Sequence, residues 1–242
     1  MKKPSEGTIL VVDDDSSTRR ALRATLSGMG YTVVEAARGE EALSLVRVRW
    51  FDAVLLDVDM PGMGGVEACK SIRHAITQLP ILMLSVLEDE DDMVMALEAG
   101  ADDYITKPFQ LRMLMARLRS AVRRRNAAQN DRDMPIRHGN IELDPVRYHV
   151  KKRGKAIHLT PKEFEILHYL MNNAGEPIPH ERLLRSVWGP GYGSELEYLR
   201  TYMRQLRMKI EDDPTHPQYL LTEANVGYRF NDQQPNEDNL LA

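Results

Sequence analysis

Only one cysteine, Cys69, occurs in the 242 residues, which excludes an internal disulfide and any metal site assembled from several thiolates. It sits in helical sequence and reads as a small buried apolar side chain. Aromatic residues are scarce, at 6%. No run approaches the roughly 20 consecutive apolar residues that a bilayer span needs, and no internal repeat or low-complexity tract is present. The opening MetLysLysProSerGluGly leads straight into a strand-like run without the apolar core of a secretion signal, so a soluble, cytoplasmic protein with no membrane partner is expected. With 43% hydrophobic and 28% charged residues, the length suits one large domain or two of ordinary size.

The formal charge of −4 is unevenly spread. Residues 1–122 carry 14 basic and 19 acidic side chains, residues 123–134 carry 4 and 2, and residues 135–232 carry 14 and 13. Six of the seven histidines lie beyond residue 134. An acidic first part followed by a near-neutral part with local basic stripes predicts two domains, the second being the one able to meet a polyanion.

Apolar runs at 8–12, 31–36, 53–57, 80–85 and 103–106 read as five strands, and amphipathic segments near 16–28, 39–48, 65–75, 90–99 and 110–124 as the helices between and after them. Strict alternation predicts a doubly wound α/β domain with a parallel sheet covered on both faces. Its expected extent is 1–125, followed by a polar linker at 126–135. Beyond the linker the order changes to short strands (136–143, 147–152, 155–159), then helices, then a hairpin (219–222 and 227–230), which is α+β. Thr160, Pro161 and Glu163 mark a helix start by capping box and first-turn proline. This second domain is expected to end at 232, with a disordered tail at 233–242.

In a parallel α/β sheet the ligand site lies beyond the carboxyl ends of the strands. Those ends carry Asp13, Asp14 and Asp15 after the first strand, Asp57 and then Asp59 after the third, Ser85 after the fourth and Lys107 after the fifth. Packed carboxylates repel one another without a cation, and oxygen-only ligands suit Mg²⁺. Near such a charge a carboxylate can attack a phosphoryl group while a lysine and a hydroxyl hold the transferred oxygens. Asp57, on the central strand, is the best placed nucleophile.

ValValAspAspAsp, LeuLeuAspValAspMetProGlyMetGlyGly, LeuSer and GlyAlaAspAspTyrIleThrLysProPhe resemble the receiver domain of bacterial response regulators across the whole first domain. The resemblance implies a flavodoxin-like sheet of order 2-1-3-4-5. It implies that Asp57 accepts a phosphoryl group from a sensor histidine kinase, and that Asp13, Asp14, Asp57 and the main-chain carbonyl of Asp59 hold Mg²⁺. Ser85 and Lys107 would bind phosphate oxygens, and Tyr104 would be the aromatic switch that turns inward. Asp57 and Asp59 also resemble the nucleophile motif of haloacid-dehalogenase-like phosphatases, which would make the protein an enzyme. Against this, the motif follows the third strand and the acidic cluster precedes it.

In residues 196–210, Leu199, Met203, Leu206 and Ile210 form one apolar stripe, with Arg200, Arg204 and Arg207 on an adjacent one. HisLeuThrProLysGluPheGluIleLeuHisTyrLeu (158–170), LeuLeuArgSerValTrpGly (183–189), TyrMetArgGlnLeuArgMetLysIle and ValGlyTyrArgPhe (226–230) resemble the winged helix-turn-helix effector of the OmpR/PhoB family. The stretch from TrpGlyProGlyTyrGly onward is most similar to the branch regulating potassium-transport (Kdp) operons. The resemblance implies a recognition helix at 196–210 for double-stranded promoter half-sites arranged as direct repeats, with Lys209 and Arg229 as backbone contacts. It also implies a loop after Trp188 facing RNA polymerase. Ala224 and Asn225 stand where the family commonly has arginine and glycine, so weaker wing binding is expected. The alternative for this domain is a protein- or RNA-binding output.

Receivers of this family form a homodimer on phosphorylation through the face made by the segments 90–99, 103–106 and 110–124. There Glu98, Asp102 and Asp103 are expected to meet Arg117 and Arg119 of a second copy. Met93 and Met113 replace a charged pair common in the family and predict a thioether contact. Leu87, two residues beyond Ser85, is expected to screen the water that removes the phosphoryl group.

Overall fold

The computed structural model describes residues 6–86, 89–127 and 134–232. The chain divides into two compact units, Met1–Asn126 and Ala127–Ala242. Leu87, most of the expected linker and the expected disordered tail lie outside the described residues.

In the first unit, strands β1 (Thr8–Val12), β2 (Thr32–Ala36), β3 (Ala53–Asp57), β4 (Ile81–Ser85) and β5 (Asp103–Thr106) form one parallel sheet of order β2-β1-β3-β4-β5. Helices α1 (Ser16–Gly28), α2 (Gly39–Val48), α3 (Gly65–Ala75), α4 (Glu90–Glu98) and α5 (Leu111–Ala127) follow the strands in turn. Both faces of the central strands are apolar. Ile9, Val11, Leu55, Leu82, Leu84 and Ile105 pack with Leu22 and Leu26 of α1 and Leu114 and Leu118 of α5, while the alternating Leu10, Val12, Val54, Leu56 and Met83 are equally buried. Such strands are stable only when helices cover both sides. Cys69 is buried on α3, and burial pushes its thiol up to about 12. Helix α5 runs to Ala127 rather than stopping at 124, because arginine and alanine remain good helix formers after the apolar stripe ends.

The second unit begins with an antiparallel sheet, β6 (Ile136–His138), β7 (Ile141–Asp144), β8 (His149–Lys152) and β9 (Lys155–Ile157), in that order. The single strand expected over 136–143 is instead a hairpin. Gly139, with φ 56, and Asn140 form the two-residue loop between the partners His138 and Ile141. Helices α6 (Pro161–Asn172), α7 (His180–Trp188) and α8 (Leu196–Ile210) follow, with the two-residue strand β10 (Ile178–Pro179) ahead of α7. β10 joins β12 (Gly227–Phe230) and β11 (Leu220–Glu223) in a sheet of order β10-β12-β11. The capping box on α6 forms as the sequence predicts: Thr160 accepts from the Glu163 amide, and Glu163 accepts from the Thr160 amide. At the tip of the β11–β12 hairpin the Val226 amide donates to the Glu223 carbonyl, and Asn225 takes φ 61, the left-handed conformation open to asparagine.

Candidate functional site

Strands β1 and β3 end side by side, and this register brings Asp13, Asp14 and Asp57 together with ligand oxygens within 4.8 Å of one another. Asp13 and Asp57 are almost fully buried and Asp14 is exposed, so the cluster has a closed floor and an open side. Lys107, delivered by the loop after β5, donates from Nζ to Asp13 Oδ2 and to Asp57 Oδ1, each at 2.8 Å. Burial raises the Asp57 carboxyl above the ordinary carboxylate range, with Lys107 opposing and Asp13 and Asp14 reinforcing the rise. Burial pulls the Lys107 ammonium down, but its bonds to Asp13 and Asp57 outweigh this and leave it raised. One ammonium against three carboxylates leaves excess negative charge on an all-oxygen donor set. That is the chemistry a hard divalent cation fits.

Asp15, third in the acidic run, is not part of the cluster. It caps α1, accepting from the Ser17 and Thr18 amides and hydroxyls, and these bonds hold its carboxyl well below the usual range. Asp59 is exposed and lies outside the carboxylate group. Ser85 is fully buried at the end of β4. Tyr104 is also buried, and that burial raises its phenol, which is hydrogen-bonded with Ser85.

Two supports of this pocket escaped the sequence reading. Arg19 on α1 donates from Nη1 to the carbonyls of Asp13 at 2.6 Å and Asp14 at 2.9 Å, holding the acidic turn from behind. Gly65, at the start of α3, passes so close to β3 that a Cβ there would lie 2.0 Å from the Asp57 carbonyl oxygen. The GlyGly in the motif was a signal for the glycine. Nothing in the spacing marked Arg19.

Several expected surface contacts turn out to be internal. Asp102 is buried, paired at 2.7 Å with Arg73 of α3, whose guanidinium also bonds the carbonyls of Thr77, Leu79 and Gly100. Asp103 pairs with Arg117 of its own chain at 2.8 Å, because α5 runs beside β5. Arg119, two residues on, points about 200° around the helix from Arg117 and acts electrostatically on Tyr31. Of the proposed interface, Glu98 and Met113 are exposed and Met93 is half-buried on α4.

In the second unit Leu199, Met203, Leu206 and Ile210 are all buried, as their spacing predicts. Arg200 and Arg204 are exposed, Arg200 in an ion pair with Glu197. Arg207 is instead a clamp: Nε and Nη2 donate to the Leu220 carbonyl and Nη2 to the Thr222 hydroxyl, tying α8 to β11. Lys209 donates to both oxygens of the buried Glu163, the carboxylate that closes the α6 capping box. Arg229 pairs with Glu223 across the hairpin. Helical periodicity found the outward positions but could not show that β11 and α6 stand over the last turns of α8.

Behind the loop that follows α7, Trp188, Tyr192, Tyr198 and Tyr202 form a buried aromatic cluster. The Lys162 ammonium lies 5.0 Å from the Trp188 ring centroid and donates to the Val187 carbonyl. Among the described residues no helix is long and apolar enough to cross a membrane.

Comparison with known proteins agrees with this geometry. Residues 9–119 match the response regulator receiver domain, and residues 154–230 match the C-terminal domain of transcriptional regulatory proteins. The transcriptional regulatory protein KdpE of Mycobacterium tuberculosis, in strain CDC 1551 / Oshkosh and in strain H37Rv, is 44% identical over 222 residues, covering 92% of this chain and 98% of the relative. The solved structure of a RitR mutant in which serine replaces a cysteine superposes with a TM-score of 0.77 at 25% identity, over 95% of this chain and all of the other. A second RitR mutant, with aspartate in place of the same cysteine, gives a TM-score of 0.75 at 26% identity, over 94% of this chain and 99% of the other. The chain belongs to the response regulators that join a receiver to an OmpR/PhoB-type DNA-binding domain, and it is a phosphorylation-dependent transcriptional regulator of a two-component system of the Kdp branch.

Proposed function

We propose that Asp57 is the phosphoacceptor, that Asp13, Asp14 and Asp57 with the Asp59 carbonyl hold Mg²⁺, and that the donor is the phosphohistidine of a sensor kinase. The observation that carries this is the doubly bonded Lys107 ammonium between Asp13 and Asp57. An Asp57 carboxylate oxygen bonds to phosphorus as the P–N bond breaks, and the imidazole nitrogen keeps the electron pair and takes up a proton. Mg²⁺ supplies neutralisation of the phosphoryl charge. Lys107 keeps its bond to Asp13 and turns its remaining donors to a phosphoryl oxygen, while Ser85 supplies a second donor. The haloacid-dehalogenase alternative is disfavoured by Asp59, whose exposed carboxylate stands apart from the cluster.

The Ser85–Tyr104 hydrogen bond is a short physical link from the pocket to the face formed by α4, β5 and α5. A phosphoryl group that recruits Ser85 favours one rotamer of Tyr104 and so one form of that face, which shifts the equilibrium towards a homodimer. In the cytoplasm the paired effectors then bind direct-repeat half-sites of a Kdp-type promoter. Arg200 and Arg204 are the major-groove contacts, and the loop after Trp188 is offered to RNA polymerase. Intact-mass spectrometry with a small phosphoryl donor and Mg²⁺ tests the first step. The gain of one phosphoryl group is expected for the parent and not for Asp57→Ala; an equal gain in the variant overturns the assignment.

A further inference from the structure

Two exposed apolar residues on the outward face of α8, Leu196 at its start and Met208 near its end, are not explained by the charged stripe, and Met208 is the more exposed. Arg200, Arg204 and Met208 recur every fourth residue and are all exposed, Met208 at 69%. Successive members are about 6 Å apart along the axis, or roughly two base-pair steps at 3.4 Å. The opposite face, from Tyr198 to Ile210, is buried against the unit's own core, so Met208 has no place there. The neighbouring cations are committed inward, Arg207 to β11 and Lys209 to Glu163. This leaves a long, apolar, flexible thioether beside the Arg204 guanidinium on the exposed face.

A major groove displays hydrogen-bonding edges on every base pair but only one apolar group, the C5-methyl of thymine. A guanidinium and a thioether one turn apart therefore match a guanine followed at short distance by a thymine. We infer that Met208 is a specificity-determining residue that packs on a thymine methyl within about two base pairs of the base read by Arg204. This rests on the reading of α8 as the recognition helix.

The test uses the full phosphorylated chain and a duplex selected from random sequence, with each thymine of the bound site replaced in turn by uracil. Uracil pairs identically and lacks only the methyl group. For the parent, one thymine per half-site is expected to lose about fourfold in affinity on replacement, the value of roughly one buried methyl. Met208→Ala, whose exposure leaves folding untouched, is expected to bind the thymine site about fourfold more weakly and to be indifferent to uracil at that position. Indifference of the parent to every uracil, or unchanged discrimination in Met208→Ala, overturns the inference while leaving DNA binding intact. Failure of the parent to bind any duplex overturns the recognition-helix reading as well.

Discussion

At the scale of single residues the pocket is held in tension. Asp57 has its folded-state pKa raised, by burial first and by Asp13 and Asp14 besides, against the pull of Lys107. Such a group binds its proton more tightly folded than unfolded. Stability therefore falls as pH rises through that interval, and the ionised side chain is a net cost at neutral pH. Asp57→Asn keeps the shape and removes the charge. Without Mg²⁺ its melting temperature at neutral pH is expected to exceed the parent's by roughly 3 °C, the gap closing towards acid pH. Thermal melts across pH decide this, and a variant no more stable than the parent at any pH refutes it. Arg19 acts one shell further out, on the carbonyls of the residues whose carboxylates cluster. Arg19→Ala is expected to weaken Mg²⁺ binding about tenfold by calorimetry, the usual consequence of losing an orienting partner. Unchanged affinity would show that the acidic turn holds its shape alone.

At the scale of elements, α8 carries two kinds of arginine that look alike in the sequence. Arg204 stands exposed, whereas Arg207 makes three hydrogen bonds to β11. A side chain that reads a base edge contributes to sequence preference, but one that only positions the wing does not. Arg204→Ala is therefore expected to weaken binding to the selected site by about 1–3 kcal/mol and to relax its preference at one base pair. Arg207→Ala should lower affinity with the preference preserved, and should destabilise the fold by about 1–2 kcal/mol through the unpaired Leu220 carbonyl. Titrations against single-base-pair variants of the site separate the two, and an equal loss of preference would place both guanidiniums on base edges.

At the scale of the whole molecule, an acidic receiver and an effector with local basic stripes belong to one regulator, and under the proposed function the signal between them passes through the pairing of two copies. Asp102 is buried and Asp103 is paired to Arg117 within its own chain, so the proposed dimer would have to compete with these internal pairs for its charged contacts. In the proposed dimer Met93 and Met113 would contribute a contact that salt does not screen. The phosphorylated homodimer is thus expected to dissociate less steeply with rising salt than a Met93→Lys, Met113→Glu double variant, measured by sedimentation; equal steepness removes the thioether contact from the account. The sequence alone determined the order of strands and helices in the first unit and that Asp13, Asp14, Asp57 and Lys107 stand at its strand ends, because alternation of apolar runs and strand-end chemistry are local properties that survive in one dimension. Only the tertiary structure decided which charges are committed internally. Asp102 with Arg73, Arg207 with β11, Lys209 with Glu163 and Arg19 with the acidic turn join residues on different elements, and no periodicity within one element records what packs over it.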